Sequence, residues 1–356
     1  MLKRLLACLM AFICLLLCAG CASPTSGGSG AQSQQAAASL NRYSRQALNL
    51  FDTVSTFTGY AESEQAFQSV TDTLIGELTR LHQLFDVYND YEGVANIKTI
   101  NDHAGIAPVE VDGDIIRLLT LSREIYESTG GKVNVGMGSV LLLWHNFREE
   151  VTDSPATAAL PDAEALREAA RHTDLTLVEI DTEKNTVYLP DADMRLDVGA
   201  IAKGYSVQRL CEIAPEGFLI NIGGNVAATG KNPVTGQPWS VGIQKPDGTS
   251  TDYLKIVTLE KGCIVTSGDY ERYVTFEGKR YHHIIDAETL APSTLWRAVS
   301  VLCEDSAYGD ALSTALFVLS REEGEKLAKS MGAEVMWMDA AGNLYMTEGF
   351  AARVKQ

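Results

Sequence analysis

Arg272-Tyr273-Val274-Thr275-Phe276-Glu277-Gly278-Lys279-Arg280-Tyr281-His282-His283-Ile284-Ile285 decides how the second half of this chain folds. Two runs rich in β-branched and aromatic residues, 272–276 and 280–285, flank Glu277-Gly278. A run–turn–run of that kind is a β-hairpin. Outward from it, strands are expected at 176–181 and 186–190 around Glu183-Lys184-Asn185, then at 218–222, 239–243, 253–260, 296–303, 334–338 and 343–347. Helical spacing is clear over 62–84, where Phe67, Val70, Leu74, Leu78 and Leu81 recur at three and four, and over 113–128 with Ile115, Leu118, Leu119 and Ile125. Further helices are expected from Pro161-Asp162, after Gly199, and over 309–319 and 321–331. Helices and hairpins mix without strict βαβ alternation. The expectation is therefore an α+β fold, with mixed and antiparallel sheets and packed helices, rather than a doubly wound parallel sheet.

The first twenty residues read as a leader. Lys3 and Arg4 precede an apolar run at 5–17, too short for a stable membrane span. Leu17-Cys18-Ala19-Gly20-Cys21 resembles the lipobox of bacterial lipoproteins, which implies cleavage before Cys21 and a lipid on its thiol. An ordinary secretory signal is the other reading, and both place the mature chain outside the cytoplasm. Residues 21–40 then form a lipidated cysteine and a Ser/Gly/Ala/Gln tether, and 41–356 one catalytic domain that can divide into two lobes.

The formal net charge of −17 argues against nucleic acid and against electrostatic adsorption to anionic lipid. An anionic small ligand would need a local device, a metal ion or a cluster of N–H groups. Beyond the leader only Cys211, Cys263 and Cys303 remain, with no CxxC spacing. Each reads as a small buried hydrophobe rather than part of a disulfide framework or zinc site.

Asp310-Ala311-Leu312-Ser313-Thr314 opens an apolar run that reads as a buried helix. Residues 310 and 314 share a helical face. A carboxylate and a hydroxyl there suit a hard cation such as Mg2+, completed by water and phosphate oxygens. The plainer alternative is an N-capping Asp and a Thr bonded back to a carbonyl. Arg195-Leu196-Asp197-Val198-Gly199-Ala200-Ile201-Ala202-Lys203-Gly204-Tyr205 reads as strand, tight turn and helix start. Free N–H groups and Lys203 there would favour an anion. Asn221-Ile222-Gly223-Gly224-Asn225 is a glycine pair after a strand, most simply a hairpin turn. No nucleophile elbow and no HExxH occur, which removes serine-hydrolase and metalloprotease chemistry.

These segments, with Phe51-Asp52-Thr53, Phe85-Asp86-Val87-Tyr88, Gly131-Lys132-Val133-Asn134, Thr266-Ser267-Gly268-Asp269-Tyr270 and His283-Ile284-Ile285-Asp286, resemble the ApbE family of FAD:protein FMN transferases. The resemblance spans 51–314. It implies a single ApbE-like, T-fold-like catalytic domain. It implies Mg2+ on the side chains of Asp310 and Thr314 and on the Ala200 carbonyl. Phe51, Tyr88, Lys132, Val133, Asn134, Asp197, Lys203 and Ile284 would line the site for FAD, the substrate. His283, Lys203 and Asp310 would act in catalysis, with His283 moving a proton. Ala287 stands where the family usually has Pro, Leu290 where Gly is usual, Asn134 where Asp is common, and Phe51-Asp52 where Met-Gly is frequent. Acceptors of the family resemble Asp-x-x-(Ser/Thr)-Gly-Ala-Thr. That pattern is absent here, so the expected acceptor is a separate extracytoplasmic redox protein. An FAD pyrophosphatase using water, or a flavin-binding lipoprotein without turnover, would use the same site.

Overall fold

The computed structural model describes residues 39–246 and 252–355. The leader, Cys21 and the tether up to residue 38 lie outside the described residues. Among those described, no helix is long and apolar enough to cross a membrane.

The fold is α+β. Eight strands form one sheet, and each hydrogen-bonds to the next in chain order: Asn41–Leu50, Thr53–Ala61, Leu219–Ile222, Asn225–Ala228, Gly262–Gly268, Ala298–Cys303, Glu334–Met338 and Leu344–Met346. Every neighbouring pair is antiparallel. The helices and smaller hairpins are therefore insertions between neighbours of one meander. Helices Glu64–Phe85, Ala202–Ile213 and Ser306–Val318 cover one face, where Phe57, Phe67, Leu74, Leu78, Val207, Leu210 and Val265 are buried together. The other face carries Val226, Ile264, Leu302 and Met336 beneath the hairpin Trp239–Gln244/Tyr253–Leu259 and Phe350. The middle strands are thus buried on both faces. Asn225–Ala228 has no exposed residue, so it lacks the apolar–polar alternation of a half-buried strand.

The hairpin at 272–285 is present, with strands Tyr273–Phe276 and Lys279–His282. Glu277 and Gly278 both have positive φ, 49° and 76°, as a two-residue turn between right-twisted strands requires. The second strand stops at His282, three residues short of expectation. Ile285–Asp286 pairs instead with Ala291–Pro292, which leaves His283 and Ile284 between two ladders.

Helix Gly138–Asp153 packs Trp144 and Phe147 against Phe276 and Tyr281 of this hairpin. The sequence reading had no element there. The helix lacks a side-chain cap and buries only Gly138, Val140, Trp144 and Phe147, so its periodic signal is thin. The first hairpin, Asn41–Leu50 with Thr53–Ala61, was also unmarked. Its edge strand is polar, with Arg42 and Arg45, as unpaired sheet edges tend to be.

Candidate active site

The helix Ser306–Val318 starts at Asp305, which accepts from the Ala307 and Tyr308 amides and is the N-cap. Asp310 is therefore not a cap of its own helix. It lies one turn in, 4% exposed, and its carboxylate leaves the helix for a neighbour. The Gly204 amide donates to Asp310 Oδ2 at 2.7 Å, and Lys203 Nζ sits 3.9 Å from Oδ1. Helix Ala202–Ile213 has no side-chain cap from its own N-cap residue, Ile201, so Asp310 supplies the anion its N-terminus favours. The two helices touch here. A Cβ on Gly204 would lie 2.2 Å from the Ser306 carbonyl oxygen and 2.4 Å from Asp310 Cβ.

Two facts make this corner fit a hard cation. Among the described residues Asp310 Oδ1 has only the distant Lys203 ammonium, which leaves its lone pairs open. Thr314 bonds back to the Asp310 carbonyl at a long 3.4 Å, so its hydroxyl also keeps acceptor capacity. The half-buried Ala200 closes the turn ahead of helix Ala202–Ile213. Among the described residues, the one place where three His, Cys, Asp or Glu ligand atoms lie within 4.8 Å of one another is His172, Asp191 and Asp193. Asp310 does not belong to such a group, so an ion on it would depend on oxygens from water or ligand.

Lys203 also lines a cleft of about 350 Å3 with Phe51, Asp52, His82, Asp86, Tyr88, Asp197, Gly199 and Arg272. Phe51 and Asp52 form the first hairpin's two-residue turn, at φ 53° and 54°. Phenylalanine in that conformation is strained. Arg272 donates to the Phe51 carbonyl at 3.2 Å and the Phe51 amide donates to His82 Nδ1 at 3.3 Å, which hold the turn against the cleft. Leu290 likewise has a positive φ, 56°. Tyr88 stacks on His145 with ring centroids 4.4 Å apart. Burial, then the charge of Asp197, raises its hydroxyl pKa well above the usual value.

The paired histidines take different roles. His282 accepts from the Ile284 amide through Nδ1 and meets the Ser293 carbonyl through Nε2 at 2.7 Å, so both ring nitrogens are used structurally. His283 Nδ1 is buried and has no hydrogen-bond partner among the described residues. Burial, then the charges of Arg272, Lys203, His282 and Arg148, holds its pKa well below 6.5. Asp286 does not serve His283; it accepts from Glu288 N and Thr289 Oγ1 within its own turn. Arg148 Nη1 is also buried without a partner among the described residues. Lys203, Arg148 and Arg272 thus gather positive charge around one neutral imidazole in an otherwise acidic protein.

A second cleft, about 240 Å3, adjoins the first. It is lined by Thr53, Asn221, Gly223, Gly224, Gly242, Thr266, Tyr270 and Glu271 among others. The glycine pair is indeed a hairpin turn, with φ of 54° and 91°, and its tight path opens that cleft. Thr53 and Glu271 of this cleft are the chain neighbours of Asp52 and Arg272 of the first.

The ApbE family profile matches residues 51–337. The chain belongs to the ApbE family. An FAD:protein FMN transferase of Treponema pallidum is 32% identical over 277 residues, covering 73% of this chain and 75% of that one. A Klebsiella pneumoniae protein of the same name is 32% identical over 256 residues, covering 69% and 76%. The crystal structure of the ApbE protein from Thermotoga maritima superimposes with a TM-score of 0.77 at 28% identity, covering 89% of this chain and 100% of that one.

Of the positions that ApbE resemblance implied, Phe51, Tyr88, Asp197 and Lys203 share the first cleft, Asp310 lies beside Lys203, and His283 lies within the field of Lys203. Three others direct their side chains elsewhere. Lys132 pairs with Glu288, Val133 is 3% exposed in the core, and Asn134 donates to the Thr173 carbonyl. Ile284 is likewise core. Val133 and Ile284 thus have only their backbone to offer a ligand. Arg148 and Arg272 went unmarked in the sequence. His145 and Arg148, three apart and beside the Trp144–Phe147 face, were the available signal.

One consequence concerns acid stability. His145, His282 and His283 all have folded pKa values below 6.5, chiefly through burial. The unfolded chain takes up these protons as pH falls through about 6.5 while the folded chain does not, so stability drops with pH. His172, raised by Asp191, and Glu271, raised by burial, work the opposite way. Melting of the ligand-free protein should occur at lower temperature at pH 5.5 than at pH 7.5. A Tm that is unchanged or higher at pH 5.5 would contradict the buried neutral histidines.

Proposed function

We propose that this ApbE-family enzyme moves the FMN half of FAD onto a Ser or Thr hydroxyl of a separate acceptor protein, forming a phosphoester and releasing AMP. The observation that carries the reading is His283 Nδ1, buried and unpartnered among the described residues, within the field of Lys203, Arg148 and Arg272. A base kept neutral at physiological pH beside cations suits deprotonation of a hydroxyl next to a pyrophosphate.

Residues of the first cleft bind FAD in this proposal. The Tyr88–His145 stack offers a flat aromatic surface to a flavin or adenine ring. Lys203, Arg148 and Arg272 offset the diphosphate charge that the acidic chain would repel. Asp310, Thr314 and the Ala200 carbonyl would hold Mg2+, which when bound neutralises phosphate oxygens as charge develops. The acceptor enters by the second cleft. Its hydroxyl oxygen bonds to the phosphorus on the FMN side, the His283 imidazole takes the hydroxyl proton, and the bond to AMP breaks. The acceptor motif is taken as Asp-x-x-(Ser/Thr)-Gly-Ala-Thr. A lipid on Cys21 would hold the enzyme on the outer side of the cell membrane, beside extracytoplasmic redox proteins.

AMP release from FAD and Mg2+, with and without an acceptor peptide, tests turnover. Release that depends on the peptide is expected. Equal AMP and free FMN in both arms would favour water as nucleophile, and FAD bound without AMP would mean a binding protein.

Arg148→Met should weaken FAD binding roughly 10- to 100-fold, the worth of one charge-assisted hydrogen bond. The same variant should melt no lower than the parent, because a buried guanidinium nitrogen without a partner does not stabilise the empty protein. Titration calorimetry and a melting curve on one sample check both; unchanged affinity would remove Arg148 from the site.

A further inference from the structure

Cys263 and Cys303 face each other in the middle of the main sheet. They are register partners on strands Gly262–Gly268 and Ala298–Cys303, and their Sγ atoms are 3.4 Å apart. The two lie 40 residues apart, so no local spacing marks them as a pair. Cross-strand partners hold their Cβ atoms about 4.5–5.5 Å apart. A disulfide spans roughly 3.5–4.5 Å between Cβ atoms, so side-chain rotation with a small approach of the strands closes the gap.

The pair also lies directly under the proposed metal ligand. A Cβ on Gly309 would meet Cys303 Sγ at 2.9 Å and Cys263 Sγ at 3.3 Å. The sulfurs are therefore the floor on which the turn carrying Asp310 rests. The segment between them holds Tyr270, Arg272, the hairpin Tyr273–Phe276/Lys279–His282, and His283. A bond between the sulfurs would close that segment at its base.

We propose that Cys263 and Cys303 are a disulfide-forming pair that staples the base of the active-site segment. Cys303 is half-buried and Cys263 is 1% exposed, so exchange enters through Cys303. The Cys303 thiolate attacks the sulfur–sulfur bond of a donor, a low-molecular-weight disulfide or an oxidised thiol–disulfide oxidoreductase, and one donor thiol leaves. The Cys263 sulfur then attacks Cys303 Sγ in the mixed disulfide, gives up its proton, and the second donor thiol leaves. Two protein thiols are oxidised and one donor disulfide is reduced to two thiols. The neighbouring Cys303 thiol and burial push the Cys263 thiol up, consistent with its acting second.

The test uses the detergent-solubilised full chain, equilibrated with mixtures of oxidised and reduced glutathione, quenched in acid, alkylated in denaturant and mapped by peptide mass. The expected result is a Cys263–Cys303 linked peptide about 2 Da lighter than its two thiol peptides, with Cys211 alkylated. The oxidised protein should also melt several degrees above the same protein in dithiothreitol. Cys303→Ser should lose both effects; if that variant does not fold, the oxidised and reduced wild type still decide. Full alkylation of both cysteines at every glutathione ratio, or a link through Cys211, would overturn the proposal.

Discussion

Asp310→Ala should lower AMP release from FAD by about 10³-fold or more. In the proposed reaction its carboxylate anchors a hard cation, and loss of metal charge stabilisation is worth several kcal/mol, about 4 for that factor. The substitution also removes the acceptor for the Gly204 amide, at a cost of about 1 kcal/mol in stability. Asp310→Asn separates the two effects. Its amide oxygen still accepts from Gly204 while the negative charge is gone. The expected pattern is a near-parental melting temperature in Asp310→Asn with activity as low as in Asp310→Ala. Activity in the asparagine variant within tenfold of the parent would mean that Asp310 serves the helix junction and not the chemistry.

His283→Asn should cost about 100-fold or more in turnover, the usual worth of a positioned general base, with little change in stability. Its Nδ1 makes no hydrogen bond among the described residues, so the fold loses nothing there. His282→Asn should do the reverse. Its buried ring bridges the Ile284 amide and the Ser293 carbonyl, and leaving these unpaired costs about 1–3 kcal/mol. Steady-state rates and thermal melts on both variants check the assignment. If His282→Asn lost turnover while His283→Asn kept it, the two roles would be exchanged.

What could be read in the sequence follows from how locally each feature is encoded. The 272–285 hairpin was legible because β-branched and aromatic runs flank a turn that tolerates positive φ. Helices Glu64–Phe85 and Gly113–Ser128 were legible because one face is apolar at helical spacing. Asp310 and Thr314 stood out because positions four apart share a helical face. Gly262–Gly268 was missed: glycines at both ends read as breakers, and burial on both faces removes the alternation. Arg148, Arg272 and the cysteine pair owe their meaning to tertiary approach, between a weakly amphipathic helix, a hairpin and two strands distant in sequence. Asp310 itself shows the limit. The sequence offered a metal ligand or a cap of its own helix, and the structure makes it the anion at the N-terminus of a different one.

The intact mass of an acceptor protein after incubation with this enzyme, FAD and Mg2+ tests the central claim most directly. A gain of one FMN on the acceptor, absent when its motif Ser or Thr is replaced by Ala and absent with Asp310→Asn, is the predicted result. An acceptor of unchanged mass alongside AMP and free FMN would contradict it and make water the nucleophile.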